Sequence, residues 1–217
     1  MKRIIGAIAA TLAVLVLLAL LPLRQVGSDE MAWTFQPGDY VWIVPDTTFK
    51  GDVVLMDDPL DPSRTVLRRV VALAGDKVKY EDGGLRVNGK RVRQNDMGER
   101  DSVQVYKEVI WSRPPARATN WFIQRVKRPV LWTLDGPVTI PSGHVYVMAD
   151  SRDEALDSRW WGPVPTSALK GVVRARLGTA DDWRGAVEWM RPIDQPSTAE
   201  VAADEAAEAA EAAEAGT

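Results

Sequence analysis

The chain contains no cysteine and only one histidine, His144. Without thiols it cannot use a cysteine nucleophile, form disulfides or build a zinc site from cysteine ligands. A single histidine also excludes a metal centre with several histidine ligands. Outside its two ends, no segment of useful length shows the apolar spacing of an amphipathic helix. We therefore expect a mainly β domain, and we expect no metal or other cofactor.

Residues 4–23 form an apolar run without a charge. At about 1.5 Å per residue, a helix of this length crosses the roughly 30 Å hydrocarbon layer of a bilayer. A cleavable signal peptide is the alternative, but its apolar region is usually about 7–15 residues and ends in a small-x-small site. This run ends Leu-Pro-Leu-Arg, which favours an uncleaved transmembrane helix. Because Lys2 and Arg3 precede it, we expect residues 1–3 in the cytoplasm and the main domain outside the inner membrane, in the periplasm.

Residues 196–217 are rich in alanine and glutamate and contain no aromatic residue, so they cannot bury a core. The acids of this segment are Glu200, Asp204, Glu205, Glu208, Glu211 and Glu214, and it has no base. We interpret it as a solvated tail, disordered or partly helical; an acidic docking tail is the alternative. Subtracting these six from the 30 acids leaves 24 against 27 bases. This mild basicity suits a place beside anionic headgroups and does not indicate nucleic-acid binding.

Residues 24–195 are enough for one domain with a hydrophobic core. Short β-branched and aromatic runs alternate there with turn residues, which is typical of strands. The predicted strands are Tyr40–Val44, Asp52–Met56, Thr65–Leu73, Lys77–Tyr80, Leu85–Val87, Val103–Ile110, Trp121–Val126, Val130–Leu134, His144–Met148 and Leu169–Leu177. Gly83-Gly84 and Asn88-Gly89 predict tight hairpin turns. An all-β barrel or folded sheet is the expected architecture.

Three stretches resemble the motifs of type I signal peptidase. The family pattern S-x-S-M-x-P-T-L meets Ser-Asp-Glu-Met-Ala-Trp-Thr-Phe at residues 28–35, followed by Gly38-Asp39. The pattern K-R-V-x-G-x-P-G-D meets Arg-Arg-Val-Val-Ala-Leu-Ala-Gly-Asp at residues 68–76. The pattern G-D-N-R-x-x-S-x-D-S-R-x-W-G-x-V-P meets residues 149–165, with nine matching positions. The resemblance runs from Val26 to Gly171, and between residues 91 and 141 it rests only on an expected insertion.

This resemblance implies a signal-peptidase-like folded β-sheet or barrel core over residues 24–195, with an inserted β subdomain at about 91–141. It also assigns roles to positions. Glu30 stands at the nucleophile, Arg68 at the general-base lysine, Ser28 at the serine of the oxyanion hole, and Ala155 at the serine that supports the lysine. The remaining polar residues of the last motif are implied to be a scaffold beside the cleft: Asp150, Arg152, Asp157, Ser158 and Arg159.

The substitutions remove the chemistry that the family needs. A Ser/Lys protease uses a hydroxyl to attack the scissile carbonyl and an amine that is neutral near pH 7 to take the proton. Attack by the carboxylate of Glu30 on an amide would give an anhydride, and the guanidinium of Arg68 stays protonated. Opposite charges at these two positions predict a Glu30–Arg68 salt bridge that fills the former active site.

The leading hypothesis is a catalytically degenerate signal peptidase homologue that binds or organises secreted or membrane proteins. Its partners would be extended peptide segments of exported preproteins and the lipid bilayer, with no nucleic acid. The alternatives are an active signal peptidase with a non-standard dyad and a structural envelope protein whose tail recruits a partner. A rewired protease would use Ser28 after a loop shift, with Lys77 or Lys79 as other bases, or His144 with Asp150. Bilayer contacts are expected among Trp33, Trp42, Trp160, Trp161, Trp183 and Trp189.

Overall fold

The computed structural model describes residues 22–32, 34–100, 102–112, 117–126 and 136–179. In these ranges the chain forms fourteen strands, one four-residue α-helix at Ser158–Trp161 and one 3₁₀ turn at Thr166–Ala168. The strands are β1 (Leu23–Gln25), β2 (Asp39–Val44), β3 (Val53–Asp58), β4 (Asp61–Leu73), β5 (Lys77–Glu81), β6 (Gly84–Val87), β7 (Lys90–Arg91), β8 (Arg93–Arg100), β9 (Val103–Ser112), β10 (Arg117–Val126), β11 (Val138–Thr139), β12 (His144–Met148), β13 (Val164–Pro165) and β14 (Leu169–Thr179). The prediction of a mainly β fold is confirmed.

The predicted transmembrane helix at 4–23 lies outside the described residues as far as residue 21. Leu23, the last residue of that prediction, instead opens β1, where it is paired with Trp42. In the described part of the chain, no helix combines the length and the apolar character needed to cross a membrane. The acidic segment 196–217 and the predicted strand Val130–Leu134 also lie outside the described residues.

The largest sheet has seven antiparallel strands in the order β1-β2-β14-β3-β4-β12-β13. Five of the six residues of its central strand, β3, are buried. Because successive side chains of a strand point to opposite sides, β3 is buried on both faces. Val53 and Leu55 belong to a core cluster with Met31 and Phe35. Val54 belongs to a second cluster on the other face. The sheet is therefore folded around core residues rather than solvated on one side.

Two smaller sheets pack against the β4–β12 end of the large one. One has the order β11-β5-β6-β7 and the other β10-β9-β8. Tyr80 and Leu85 from the first and Trp121 from the second share a core cluster with Tyr146 and Met148 of β12. These two sheets, which form a second unit, run in the sequence from β5 to β11, and β11 pairs with β5. The inserted subdomain expected at about 91–141 stays a prediction.

Local differences from the predicted strands have simple causes. β8 was not predicted because its sequence, Arg-Gln-Asn-Asp-Met-Gly-Glu-Arg, has almost no β-formers, and its pairing with β9 fixes it. The first tight turn is shifted by one residue: Asp82 and Gly83 have φ of 49° and 70°, as a two-residue hairpin turn requires. The second turn, at Asn88 and Gly89 with φ of 55° and 84°, is where the sequence predicts it.

Candidate active site

Glu30 lies in the loop that follows β1, and buried neighbours hold that loop in place. Met31 and Phe35 are fully buried, and the N–H of Phe35 donates to the carbonyl of Met31 at 2.8 Å. The N–H of Ser151 donates to the carbonyl of Glu30 at 2.9 Å. The backbone of Glu30 is thus fixed from two sides, while its side chain stays 20% exposed.

Arg68 is presented by β4, and its side chain is only 2% exposed. Its Nη1 lies 3.2 Å from Oε2 of Glu30, so the ion pair predicted from the sequence is present. Nε and Nη2 donate to the carbonyl of Leu156 at 3.0 and 2.8 Å, and Nη1 also donates to the carbonyl of Leu67 at 2.7 Å. The guanidinium is therefore surrounded by acceptors, and its Cζ lies 5.7 Å from the ring centroid of Trp161.

Ser28 and Ala155 are the other two positions to which the family resemblance assigns a role at the catalytic site. Ser28 Oγ donates to the same Oε2 of Glu30 at 3.1 Å. Ala155 is partly buried and packs against the core cluster that contains Met31. Its methyl group has no polar atom and cannot hydrogen-bond a base. The carbonyl of the next residue, Leu156, accepts from the guanidinium instead. The resemblance implies a serine hydroxyl beside the lysine amine of the family. In this chain the carbonyl of Leu156 accepts two hydrogen bonds from the planar guanidinium of Arg68.

A groove of about 510 Å³ opens beside Glu30. Residues 24–31 line one side, residues 64–67 line the other, and Glu154 contributes to the wall. β1 is an edge strand of the large sheet, and β12 accompanies β4 only from Arg69 to Leu73. One side of the groove is thus the end of β1 with the loop that follows it. The other side is a segment of β4 that, within the described ranges, has a neighbouring strand on one side only.

The first scaffold residue, Asp150, is fully buried and is held by a neighbour of Arg68 in the sequence. Arg69 donates from Nε and Nη2 to the two carboxylate oxygens of Asp150 at 2.9 and 2.6 Å. Thr34 also donates to Asp150 and accepts from Arg69 at 2.9 Å. Arg69 lies over the ring of Trp121, 5.0 Å from its centroid. This network ties the loop of Glu30 to β4 and to the second unit.

Arg152 binds a partner that sequence reasoning missed. Its guanidinium makes two contacts with the carboxylate of Glu108 in β9, and both side chains are fully buried. Trp121 Nε1 and Gln94 Nε2 donate to the same carboxylate at 3.1 and 2.8 Å. A sequence signal exists: Tyr106, Glu108 and Ile110 alternate as one face of a strand, which places an acid at a core position.

Asp157, Ser158 and Arg159 form the start of the short helix. Asp157 caps it by accepting from the N–H of Arg159 at 3.0 Å, and it also accepts from Nε and Nη2 of that residue, both at 2.8 Å. Ser158 Oγ accepts from the N–H of Val147 at 3.0 Å. Burial opposes the charge of Arg159, but the charge and hydrogen bonds of Asp157 raise the pKa of the guanidinium. These three residues hold the last motif against β12.

The other candidate bases do not meet a candidate nucleophile. His144 starts β12 and lies 3.0 Å, through Nδ1, from the carbonyl of Ser142, whereas Asp150 follows the far end of that strand. Lys79 pairs with Glu81 in β5, and Lys77 is exposed on the same strand. None of these three lines the groove beside Glu30.

The tryptophans proposed for bilayer contact differ in exposure. Trp160 is 52% exposed, whereas Trp42 and Trp161 are partly buried. Trp33, Trp183 and Trp189 lie outside the described residues. Contact of any of them with lipid stays a prediction.

Comparison with known proteins supports the family resemblance that the motifs indicate. Residues 1–178 match the family model described as signal peptidase, peptidase S26. Signal peptidase I of Pseudomonas aeruginosa is 31% identical over 175 residues, which cover 70% of this chain and 60% of that protein. Signal peptidase I V of Bacillus subtilis is 28% identical over 173 residues, covering 77% of this chain and 92% of that one. A crystal structure of a signal peptidase I from Enterococcus faecalis is 22% identical, with a TM-score of 0.38, and covers 59% of this chain and 98% of that one.

The family match spans most of the chain, so this protein belongs to the signal peptidase family, peptidase S26. The chain spans 60% of the length of the P. aeruginosa relative and 39% of a Pseudomonas fluorescens signal peptidase I that it also resembles.

Proposed function

We propose that this protein is a catalytically degenerate member of its family that binds extended segments of exported or membrane proteins without cutting them. The observation that carries the proposal is the Glu30–Arg68 ion pair at 3.2 Å. Arg68 cannot act as a base, because a guanidinium keeps its proton at any physiological pH. Its hydrogen bonds to Leu156 and Leu67 also satisfy it as a cation. Glu30 and Arg68 would therefore stabilise the structure of the site and would not transfer a proton.

The groove supports the binding half of the proposal. The wall at residues 64–67 is a strand segment of β4 with a neighbour on one side, and an extended peptide can add to such an edge through main-chain hydrogen bonds. The apolar run at 4–23 would anchor the chain in the inner membrane, with the groove on the outer side. Segments of exported preproteins would reach the groove there as they leave the bilayer.

A second function, active cleavage, is favoured by one contact. Ser28 is exposed to the groove, and its Oγ donates to Oε2 of Glu30 at 3.1 Å. A serine hydroxyl bonded to a carboxylate has the geometry in which a general base takes the proton. In that mechanism Ser28 Oγ would attack the scissile carbonyl, and Glu30 would take the proton and return it to the leaving amine. The acyl-enzyme would then be hydrolysed by water.

Peptide binding tests the first function with the full chain in detergent. A fluorescent peptide spanning the cleavage region of an exported preprotein should bind saturably by anisotropy, and mass spectrometry should find it intact. In an added strand only every second residue points its N–H at the neighbouring strand, so a peptide series N-methylated at those residues loses its N–H donors to that strand and should bind weakly. The series shifted by one residue is the matched control and should bind normally. Equal affinity for both series would contradict strand addition, and cleavage that disappears in Ser28→Ala would establish the second function instead.

A further inference from the structure

We propose that the outer face of the β11-β5-β6-β7 sheet is a docking site for the chain's own acidic segment, residues 196–217. This inference does not depend on the proposed function. It rests on a line of cations across three strands and on the charge of that segment.

The line consists of Lys79, Arg86 and Arg91. Lys79 in β5 is directly opposite Arg86 in β6, and Arg86 is directly opposite Arg91 in β7. Residues directly opposite on neighbouring strands share a face, and the strands are about 4.8 Å apart. Like charges at such positions destabilise a sheet. A protein that keeps three of them in a row gains from an anion that lies across them.

One carboxylate on this face, Glu81, pairs with two of the three cations. Glu81 binds Nζ of Lys79 and accepts from Nε of Arg86 at 2.8 Å. The hydrogen bond from Lys79, with a further contribution from Arg86, lowers the pKa of Glu81. Arg91 lies over Gly84, where a Cβ atom would be only 2.6 Å from its Nη2, so the glycine makes room for this guanidinium. Two of the three cations thus share one acid, and the third lies beside them over a glycine.

The surrounding sequence increases the positive charge. Lys77 is exposed at the start of β5. From residue 83 to residue 95 the chain has four bases and no acid. Lys90 and Arg93 are the two bases of that stretch outside the line. Counting only the residues on the face itself, Lys77, Lys79, Arg86 and Arg91 stand against one acid, Glu81, within a chain of net charge −3.

The segment 196–217 is the matching anion. It has six acids and no base, and four of these acids recur every third residue at 205, 208, 211 and 214. The chain between Thr179 and Glu200 can span up to about 70 Å when extended, so it can reach the face. Tethering gives an effective concentration of the order of millimolar, so even weak pairing fills such a site. An anionic bilayer would have to compete with this tethered partner.

Electron–electron distance measurements on the full chain in detergent test the proposal. The chain has no cysteine, so spin labels at Thr139→Cys, in β11 beside Lys77, and at Ala212→Cys are the only ones present. At about 50 mM salt we expect a population with a short distance between the two labels. This population should disappear at about 1 M salt, because the electrostatic screening length is then only about 3 Å. Lys79→Gln with Arg91→Gln leaves Arg86 paired with Glu81 and should reduce that population at least about threefold, in keeping with two exposed ion pairs.

Matched variants separate the face from general charge effects. Arg64→Gln with Lys170→Gln removes two exposed cations from the seven-stranded sheet and should keep the short distances. Glu205→Gln, Glu208→Gln and Glu211→Gln change only the segment and should reduce the short-distance population as the Lys79/Arg91 variant does. A broad distribution that ignores both salt and the face variants would overturn the proposal. Loss of binding to vesicles of phosphatidylglycerol in the Lys79/Arg91 variant, with unchanged distances, would also overturn it, because the face would then serve lipid.

Discussion

Glu108 is the residue whose replacement should most clearly reveal how the second unit is attached to the site. Its carboxylate is fully buried and accepts from Arg152, Trp121 and Gln94. Glu108→Gln keeps the shape of the side chain but removes the charge. It also places an amide N–H among donors, where it has no acceptor. Arg152 is then left as a buried cation without a counter-charge.

The size of the effect follows from that burial. Removing one partner of a buried ion pair typically costs about 3–5 kcal/mol. In a domain of roughly 150 residues, each kcal/mol lowers the melting temperature by about 2–4 °C. We therefore expect Glu108→Gln to melt roughly 6–20 °C below the unaltered protein. Because Arg152 adjoins Ser151, which holds the carbonyl of Glu30, the loop of the site should loosen as well.

Thermal unfolding followed by circular dichroism gives the measurement, with Glu81→Gln as the control. Glu81 also contacts two cations, but on the surface, so its change should be far smaller. Adding Arg152→Met to Glu108→Gln removes the stranded charge and should recover at least about half of the lost stability. Two results would show that the buried ion pair does not hold the two units together. One is a melting temperature of Glu108→Gln equal to that of the unaltered protein, and the other is a double variant as unstable as the single one.

Three further outcomes follow from particular positions. Gly171→Ala should destabilise the large sheet by about 1–3 kcal/mol in urea unfolding, since a Cβ would lie 2.8 Å from a backbone oxygen at φ +157°, whereas Gly27→Ala, with open space around it, should not. Burial raises the pKa of Asp76, but bonds from the N–H of Leu73 and from Lys50 and Asn88 outweigh it and lower the pKa, so its stabilisation should be lost as pH falls from about 4, and Asp76→Asn should lack that loss. Burial raises the pKa of Asp52, so acid should relieve its cost as pH falls toward about 4, above the range of Asp76, and Asp52→Asn should remove this gain; curves of the same slope for both variants would contradict these signs.

The sequence predicted the central contact of the site because the motifs set the register of Glu30 and Arg68 and opposite charges attract. It did not predict the partner of Arg152, because Glu108 lies 44 residues away in the stretch where the motifs give no alignment. Propensity missed β8, a polar strand that only its neighbour stabilises. The pairing of β5 with β11 joins residues about 60 apart, which no local pattern records.

The most direct test of the central claim is the cleavage of a preprotein by the purified full chain in detergent, followed by mass spectrometry. The unaltered protein, Ser28→Ala, and the triple variant Glu30→Ser, Arg68→Lys, Ala155→Ser should be compared, with circular dichroism confirming that each is folded. If the ion pair has replaced the catalytic pair, the unaltered protein and Ser28→Ala leave the preprotein intact, and only the triple variant cuts it. Cleavage by the unaltered protein that is lost in Ser28→Ala would contradict this account.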